Sequence, residues 1–517
     1  MTARVLDGFQ ESTMIKTAFR HAPPRAAAMI EALRGMGYSP ATALADIIDN
    51  SISADARSVD IRFVWSGRDS RVEVQDDGRG MSAGELDRAM RLGDKSPLDK
   101  RAPSDLGRFG LGLKTASFSQ CRRLTVAACG PDGLQCLRWD LDVIAASSGD
   151  GWELQEGPAD SARDIVHSFG DRAQGTLVIW EVADRIVTEG FSEQDFVDLI
   201  DIVERHLAMV FHRFLEGARP ALRIRINGRS VAPWDPFMSG HPAKPWHSPP
   251  DRLPRNSRIE LEGHVLPHKD RLSTREFDAG QGPNGWTAQQ GFYVYRNRRL
   301  LVAGSWLGLG SRRGWTKDEA HRLARIRLDI PNTADAEWKI DIRKATARPP
   351  VEARAWLVRH AEDVRSRARK AFAHRGEAPR SRRGELVAQA WKAEHFSGGM
   401  RYRVDKDHPA VRAILDEAGV LLPQVLAMLR VIEETVPVQK IWIDTAENRE
   451  TPRTGFAGES AAAVTEVLEV MYRNMVLNKG MSAELARTRL LLTEPFQNYP
   501  ALVAALPDHP VNKEEQS

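Results

Sequence analysis

The sequence predicts an α/β chain that turns α-rich toward its C-terminal end, and two patterns carry that reading. Short stretches of alternating apolar residues recur near Val59–Val64, Arg71–Val74, Leu124–Ala128, Leu134–Trp139 and Leu177–Trp180, as strands of a sheet do. Residues 41 to 50 and the long stretch from Phe191 to Phe214 space their apolar residues as helices do. At 517 residues the chain is long enough for two or three domains. A net charge of +3 with 28% charged residues describes an ordinary soluble protein and excludes a strongly basic nucleic-acid coat. No apolar run approaches the length of a bilayer span, and the first residues lack the apolar stretch of a signal peptide. Cys121, Cys129 and Cys136 have no paired spacing, so neither a disulfide framework nor a zinc site is expected. Cytoplasm is the expected compartment.

In chain order, residues 1–22 read as a polar N-terminal arm. The first element with chemistry is Ala45-Asp46-Ile47-Ile48-Asp49-Asn50-Ser51, helical because no Gly or Pro interrupts it. Asp46 and Asn50 are four apart and stack on one face. An amide oxygen at Asn50 suits one position of an octahedral Mg²⁺ that spends others on phosphates. A carboxylate one turn earlier, Asp46, suits a base that orients or deprotonates a water. Alone, the same residues also describe the solvated face of an amphipathic helix.

The strand Arg71–Val74 runs into Asp76-Asp77-Gly78-Arg79-Gly80-Met81. An ionised carboxylate accepts hydrogen bonds and donates none, so it selects an amine over a carbonyl. Gly78 and Gly80 would let the backbone pass close to a flat ligand, and Met81 would pack on its face. Alone, this is also a plain Asp-Gly turn. The third segment, Gly107-x-x-Gly110-x-Gly112 followed by Leu113-Lys114-Thr115, places glycine amides at the start of a helix, where anions bind, and Lys114 adds charge. Its spacing is neither the Walker A pattern nor the Rossmann G-x-G-x-x-G. The stretch before it, from Gly93 through Ser96-Pro97 to Asp105, is polar and broken by Pro, as a lid would be. Gly175-Thr176 then opens the strand Leu177–Trp180.

These segments, in this order, resemble the GHKL ATPases of the Bergerat fold: gyrase-type topoisomerases, heat-shock chaperones of the ninety-kilodalton class, histidine kinases, MutL and MORC proteins. The resemblance implies a two-layer α/β sandwich, a mixed sheet with helices on one face, over residues 23–217. It implies ATP and Mg²⁺ as ligands, with Asp76 accepting the exocyclic amine of adenine and Thr176 completing that pocket. Ser96 matches a lid serine that touches phosphate in MORC-like members. The usual base there is Glu, and this chain has Asp46, one methylene shorter.

Residues 218–350 resemble the transducer domain that follows the ATPase in MORC, MutL and gyrase relatives, an α/β domain of the ribosomal S5 type. Arg223–Gly228 is expected to open it, Pro233 to Pro254 to form a surface loop, and Gly291–Leu301 and Ala324–Ile330 to supply strands. In that family a lysine at the end of a strand senses the terminal phosphate. Lys344 is the choice here, with Lys339 and Arg343 as rivals. Residues 351–384 read as a basic helix and linker, with Arg354, Arg359, Arg365, Arg367, Arg369, Lys370, Arg380, Arg382 and Arg383 as candidate DNA phosphate contacts; a solvated helix fits as well. Residues 385–517 read as an α-rich domain.

The expected function is a slow ATPase working as a dimeric clamp that closes on ATP binding, on DNA or within a DNA-processing or phage-defence complex. Relatives of this layout often work beside a separate nuclease or helicase. A protein-remodelling clamp is the alternative. A histidine kinase is not expected, because His21 lies beside Pro23 and Pro24, outside any good helix.

Overall fold

The computed structural model describes residues 24–35, 37–93, 112–147, 152–310, 313–335, 337–340, 346–373, 388–396, 399–441, 461–493 and 496–510. The chain divides into two compact units: residues 1–266, 274–317 and 324–365 form the first, and residues 267–273, 318–323 and 366–517 the second.

The first unit holds two sheets. In the larger, β1 (Ser58–Val64), β2 (Arg71–Asp76), β3 (Arg123–Gly130), β4 (Gly133–Asp140), β5 (Gln155–Glu156), β6 (Gly175–Glu181), β7 (Arg223–Ile226) and β8 (Arg229–Ser230) form an eight-stranded sheet in the order β5-β4-β3-β6-β2-β1-β7-β8. Most pairs are antiparallel, but β1 and β7 run parallel, with Ser58 opposite Arg223. The sheet is therefore mixed. Helices α1 (Ala26–Arg34), α2 (Pro40–Ser53), α3 (Ala83–Met90), α4 (Gly112–Phe118), α5 (Leu141–Ala146), α6 (Arg163–Gly170), α7 (Glu193–Val210) and α8 (His212–Leu215) accompany it.

Strand alternation builds the layers. Leu124, Val126, Val178 and Trp180 join Ile30, Leu44, Ile48, Val203 and Leu207 in the main core under α1, α2 and α7. The alternate residues Ala127, Cys129, Leu177 and Ile179 meet Val166 and Phe169 of α6 on the other face. The α/β fold class expected from sequence is the one observed, with α6 adding cover behind β3 and β6. One expected boundary moves: Arg223–Ile226, read as opening the second unit, pairs with β1 and belongs to the first sheet. Strand periodicity says which residues alternate, not which strand they join.

The second sheet is six-stranded: β9 (Trp246–His247), β10 (Asp251–Leu253), β11 (Asn256–Val265), β12 (Gly291–Arg296), β13 (Arg299–Ser305) and β14 (Ala324–Ile330), in the order β10-β11-β14-β12-β13 with β9 beside β11. Short strands thus occupy part of the segment Pro233–Pro254 that reads as a loop. Helices α9 (Thr274–Gly280) and α10 (Gly285–Ala288) precede β12. The long α11 (Val351–Ala373) follows, and Trp356 Nε1 donates to Asp251 Oδ2 at 2.9 Å while Val364 packs where Gly263 has no side chain. The two sheets are tied to each other through α8: His212 Nε2 and the Tyr295 hydroxyl are 2.7 Å apart, and Arg213 pairs with Asp329.

In the second unit, β15 (Trp391–Phe396) and β16 (Gly399–Val404) form a hairpin, followed by α12 (Pro409–Glu417) and α13 (Leu422–Glu434). Val464, Leu468, Tyr472, Leu490 and Phe496 build a small core there among the helices Ala461–Arg473 and Ala483–Leu491.

Candidate functional site

Helix α2 begins where the sequence stops it from beginning earlier. Ser39 caps it, with its side chain accepting from the Thr42 amide and Thr42 reaching back, and Pro40 occupies the first turn, where no amide partner is needed. That fixed start sets the rotation of Asp46, Asp49 and Asn50 about two to three turns later. Asp46 is 4% exposed and Asp49 1%, whereas Asn50 is exposed.

Asn50 Nδ2 donates to the Asp46 carbonyl at 3.1 Å, so the amide nitrogen is spent on the helix and Oδ1 is the atom offered outward to a cation. That donor set, one neutral hard oxygen with phosphates to supply the rest, fits Mg²⁺. Asp46 Oδ2 accepts from the Tyr38 hydroxyl at 2.9 Å. Its Oδ1 lies 3.9 Å from Nη2 of Arg299, whose Nε donates to Asp49 Oδ1 at 3.2 Å.

Asp76 closes β2 and is buried. Ser51 Oγ donates to its Oδ2 at 2.7 Å, and the amides of Gly78 and Thr176 donate to its Oδ1 at 2.9 and 3.1 Å. Burial pushes the Asp76 carboxyl above the usual carboxylate value, against the pull of those hydrogen bonds. The neighbouring Asp77 is structural: its Oδ1 accepts from the amides of Arg57 and Ser58 at 2.7 and 2.8 Å. Gly80 has φ +68°, and a Cβ there would run into the Cys129 carbonyl, so only glycine lets this turn lie against β3. Met81 is half-buried beside it and packs on the main core.

Gly112 opens α4, and a Cβ on it would stand 3.6 Å from Asp46 Oδ2. The structure therefore brings Asp46, Asn50, Asp76, Gly78, Gly80, Met81, Gly112 and Thr176 onto α2, α4 and the ends of β2 and β6. Thr115 and Lys114 are buried in α4. Lys114 Nζ donates to the Ala89 carbonyl at 2.8 Å, where the sequence reading sends that charge to phosphates. Ser96, Gly107, Gly110, Arg343 and Lys344 lie outside the described residues. Lys339 sits in a turn with φ +47°, not on a strand.

Three residues of this site escaped the sequence reading. Ser51 directly follows Asn50 in the motif, which was a usable signal. Tyr38 precedes the helix cap and offered a weaker one. Arg299 lies 250 residues from Asp49 in the chain and offered none.

The basic helix is less uniform than its arginine count suggests. Arg365 lies over the Trp306 and Trp315 rings at 4.6 and 5.0 Å, and Arg354 Nε reaches the Pro349 carbonyl at 3.4 Å. Arg359, Arg367, Arg369 and Lys370 are exposed, interleaved with the exposed acids Glu352, Glu362 and Asp363. Arg380, Arg382 and Arg383 lie outside the described residues.

Residues 38–176, which include these α2, β2 and β6 positions, match the family described as histidine kinase-, DNA gyrase B-, and HSP90-like ATPase. Over 85 residues the chain is 34% identical to the ATPase morc-1 of Caenorhabditis elegans, covering 16% of this chain and 10% of that protein. Over 192 residues it is 28% identical to the DNA mismatch repair protein MutL of Rhodospirillum rubrum, covering 36% of this chain and 28% of that one. The chain thus spans less than a third of the length of either relative. No helix among the described residues is long and apolar enough to cross a membrane.

Proposed function

We propose that this chain, built on a GHKL ATPase domain, is a slow ATP-hydrolysing clamp that dimerises when ATP is bound and acts on DNA. The observation that carries the reading is the buried Asp76 carboxylate, held by Ser51, Gly78 and Thr176, beside a helix that buries Asp46 and exposes Asn50. Three donors fix the Asp76 oxygens in place, and a carboxylate has about four lone-pair sites, so an adenine amine finds an acceptor already oriented.

In this reading Asn50 Oδ1 takes one position on Mg²⁺. When bound, the ion neutralises charge on the terminal phosphates. Asp46 orients the attacking water, with Tyr38 holding Oδ2 and leaving Oδ1 toward the proton. Gly107, Gly110 and Gly112 would direct backbone amides at the phosphates, with Thr115 behind them and Ser96 in the lid. Lys344 would sense the terminal phosphate. Lys114 would join them through the N–H donors that its bond to the Ala89 carbonyl leaves over. Turnover is slow because Asp46 reaches less far than Glu and because ATP shifts the closed state only by its differential affinity.

The MutL relative is a DNA mismatch repair protein by name, which favours DNA over a protein client. Exposed Arg359, Arg367, Arg369 and Lys370 would meet the phosphate backbone. A separate nuclease or helicase would carry any cutting or unwinding.

Light scattering with no nucleotide, ADP, or a non-hydrolysable ATP analogue with Mg²⁺ tests this. Doubling of mass with the analogue alone, lost in Asn50→Ala and reduced in Lys344→Ala, is the expected result. Analogue binding without any change of mass would leave the nucleotide site standing and remove the clamp.

A further inference from the structure

Arg299 opens β13 directly after the two-residue turn Asn297-Arg298, whose φ values of 48° and 70° suit a tight hairpin. A surface turn this rich in arginine normally points its charges at water. Arg299 instead is 4% exposed. Its Nε donates to Asp49 Oδ1 at 3.2 Å, its Nη1 donates to the Leu300 carbonyl at 2.6 Å, and its Nη2 stands 3.9 Å from Asp46 Oδ1. The guanidinium also lies 5.7 Å from the centre of the Phe211 ring. A buried guanidinium must be paired and hydrogen-bonded to persist, and both carboxylates that pair with this one belong to α2. Its planar fork reaches acids on successive turns in one fixed geometry, which a lysine ammonium does not reproduce.

We propose that Arg299 is a positioning residue for Asp46, and that through it the placement of the second sheet sets whether that carboxylate is oriented to activate water. The inference rests on the ATP-hydrolysis reading of the same site. Asp49 anchors the guanidinium, Tyr38 holds the far oxygen of Asp46, and Arg299 flanks the near one. A shift of the β12–β13 hairpin of about 1 Å would change that flank, and a misplacement of this size costs on the order of a hundredfold in rate.

The polar and charged groups around Asp46 come from several elements. Tyr38 faces it from ahead of α2, and Asp49 lies on α2 itself. Lys114 is the cation on the packed α4, with Nζ on the Ala89 carbonyl. Arg299 comes from β13, and His206 on α7 is kept neutral near pH 7 by burial and then by the Arg299 charge. Among the described residues, Arg299 is thus the cation placed against the base.

The experiment is steady-state ATP hydrolysis by the full chain, with ATP affinity measured separately by calorimetry. Arg299→Ala should lower kcat on the order of ten- to a hundredfold. ATP affinity should stay within about threefold, so that the loss falls on turnover and not on binding. Asp49→Asn should also lower kcat with affinity kept. Arg299→Lys should restore only part of kcat, because an ammonium does not reproduce the planar fork.

Arg298→Ala, on the same hairpin but packed over Phe214 at 5.0 Å, should leave kcat near its wild-type value. If Arg298→Ala lowers kcat as far as Arg299→Ala does, or if Arg299→Ala leaves kcat unchanged, the inference is overturned. A wild type that binds ATP without turning it over removes the hydrolysis reading itself. Should Arg299→Ala fail to fold, Asp49→Asn and Arg299→Lys still decide it: both should lower kcat with ATP affinity within about threefold, and an unchanged kcat in both overturns the inference.

Discussion

At the residue scale, Asp76 has the sharpest consequence. A proton on it would take the lone pair that Ser51, Gly78 and Thr176 leave for an amine, and burial holds its carboxyl above the usual carboxylate value. ATP affinity should therefore weaken on acidification sooner than an exposed carboxylate would predict, because the proton that binds Asp76 competes with the amine. Asp76→Asn should cost about 1–3 kcal/mol of ATP binding and flatten that pH dependence, read by calorimetry at several pH values. A variant that binds as tightly as wild type would remove Asp76 from the adenine contact. Gly80→Ala should be worse for folding than for binding, since its Cβ would collide with the Cys129 carbonyl in β3.

At the element scale, α2 and α7 decide how the site is held. Ser39→Ala removes the cap that fixes the start of α2 and should cost about 1 kcal/mol of stability, measured by denaturant unfolding. Helix α7 carries His206, which burial and then the Arg299 charge push down to about 4. A histidine with a depressed folded value is neutral in the fold and takes its proton first in the unfolded chain. Its contribution is fully present above the unfolded value of about 6.5 and is lost as pH falls from there toward about 4. Between roughly pH 7.5 and 5 the chain should lose about 2 kcal/mol from this residue, and His206→Leu should lose that much less. An equal drop in both proteins would show that His206 ionises freely in the fold.

At the scale of the whole molecule, the second sheet is joined to the first by charged and aromatic contacts as well as by chain connection. His212 with Tyr295, Arg213 with Asp329, and Arg299 with Asp49 all cross between the layers. Of these, Arg299 with Asp49 links the second sheet to α2. If the clamp holds DNA, changing Arg367, Arg369 and Lys370 to Glu together should weaken retention and flatten its dependence on salt, because fewer counterions are released. ATP-driven dimerisation should be unaffected in that variant. Retention that is unchanged would move the DNA contact off α11.

The sequence by itself determined what is local. The four-residue spacing of Asp46 and Asn50, the Asp-Gly turn after Arg71–Val74 and the alternation of Leu177–Trp180 each depend on neighbours within a few residues, and helix and strand periods make such patterns readable. The GHKL resemblance followed because those short motifs carry the ligand chemistry. Tertiary structure decided what depends on distant partners. It assigned Arg223–Ile226 to the first sheet, turned Lys114 onto a carbonyl, spread the arginines of α11 between aromatic faces and solvent, and buried Arg299 against carboxylates that precede it by 250 residues. Residue type and spacing do not encode these pairings. A charge finds its partner only after the sheets have closed the long loops between them and removed water from the space they share.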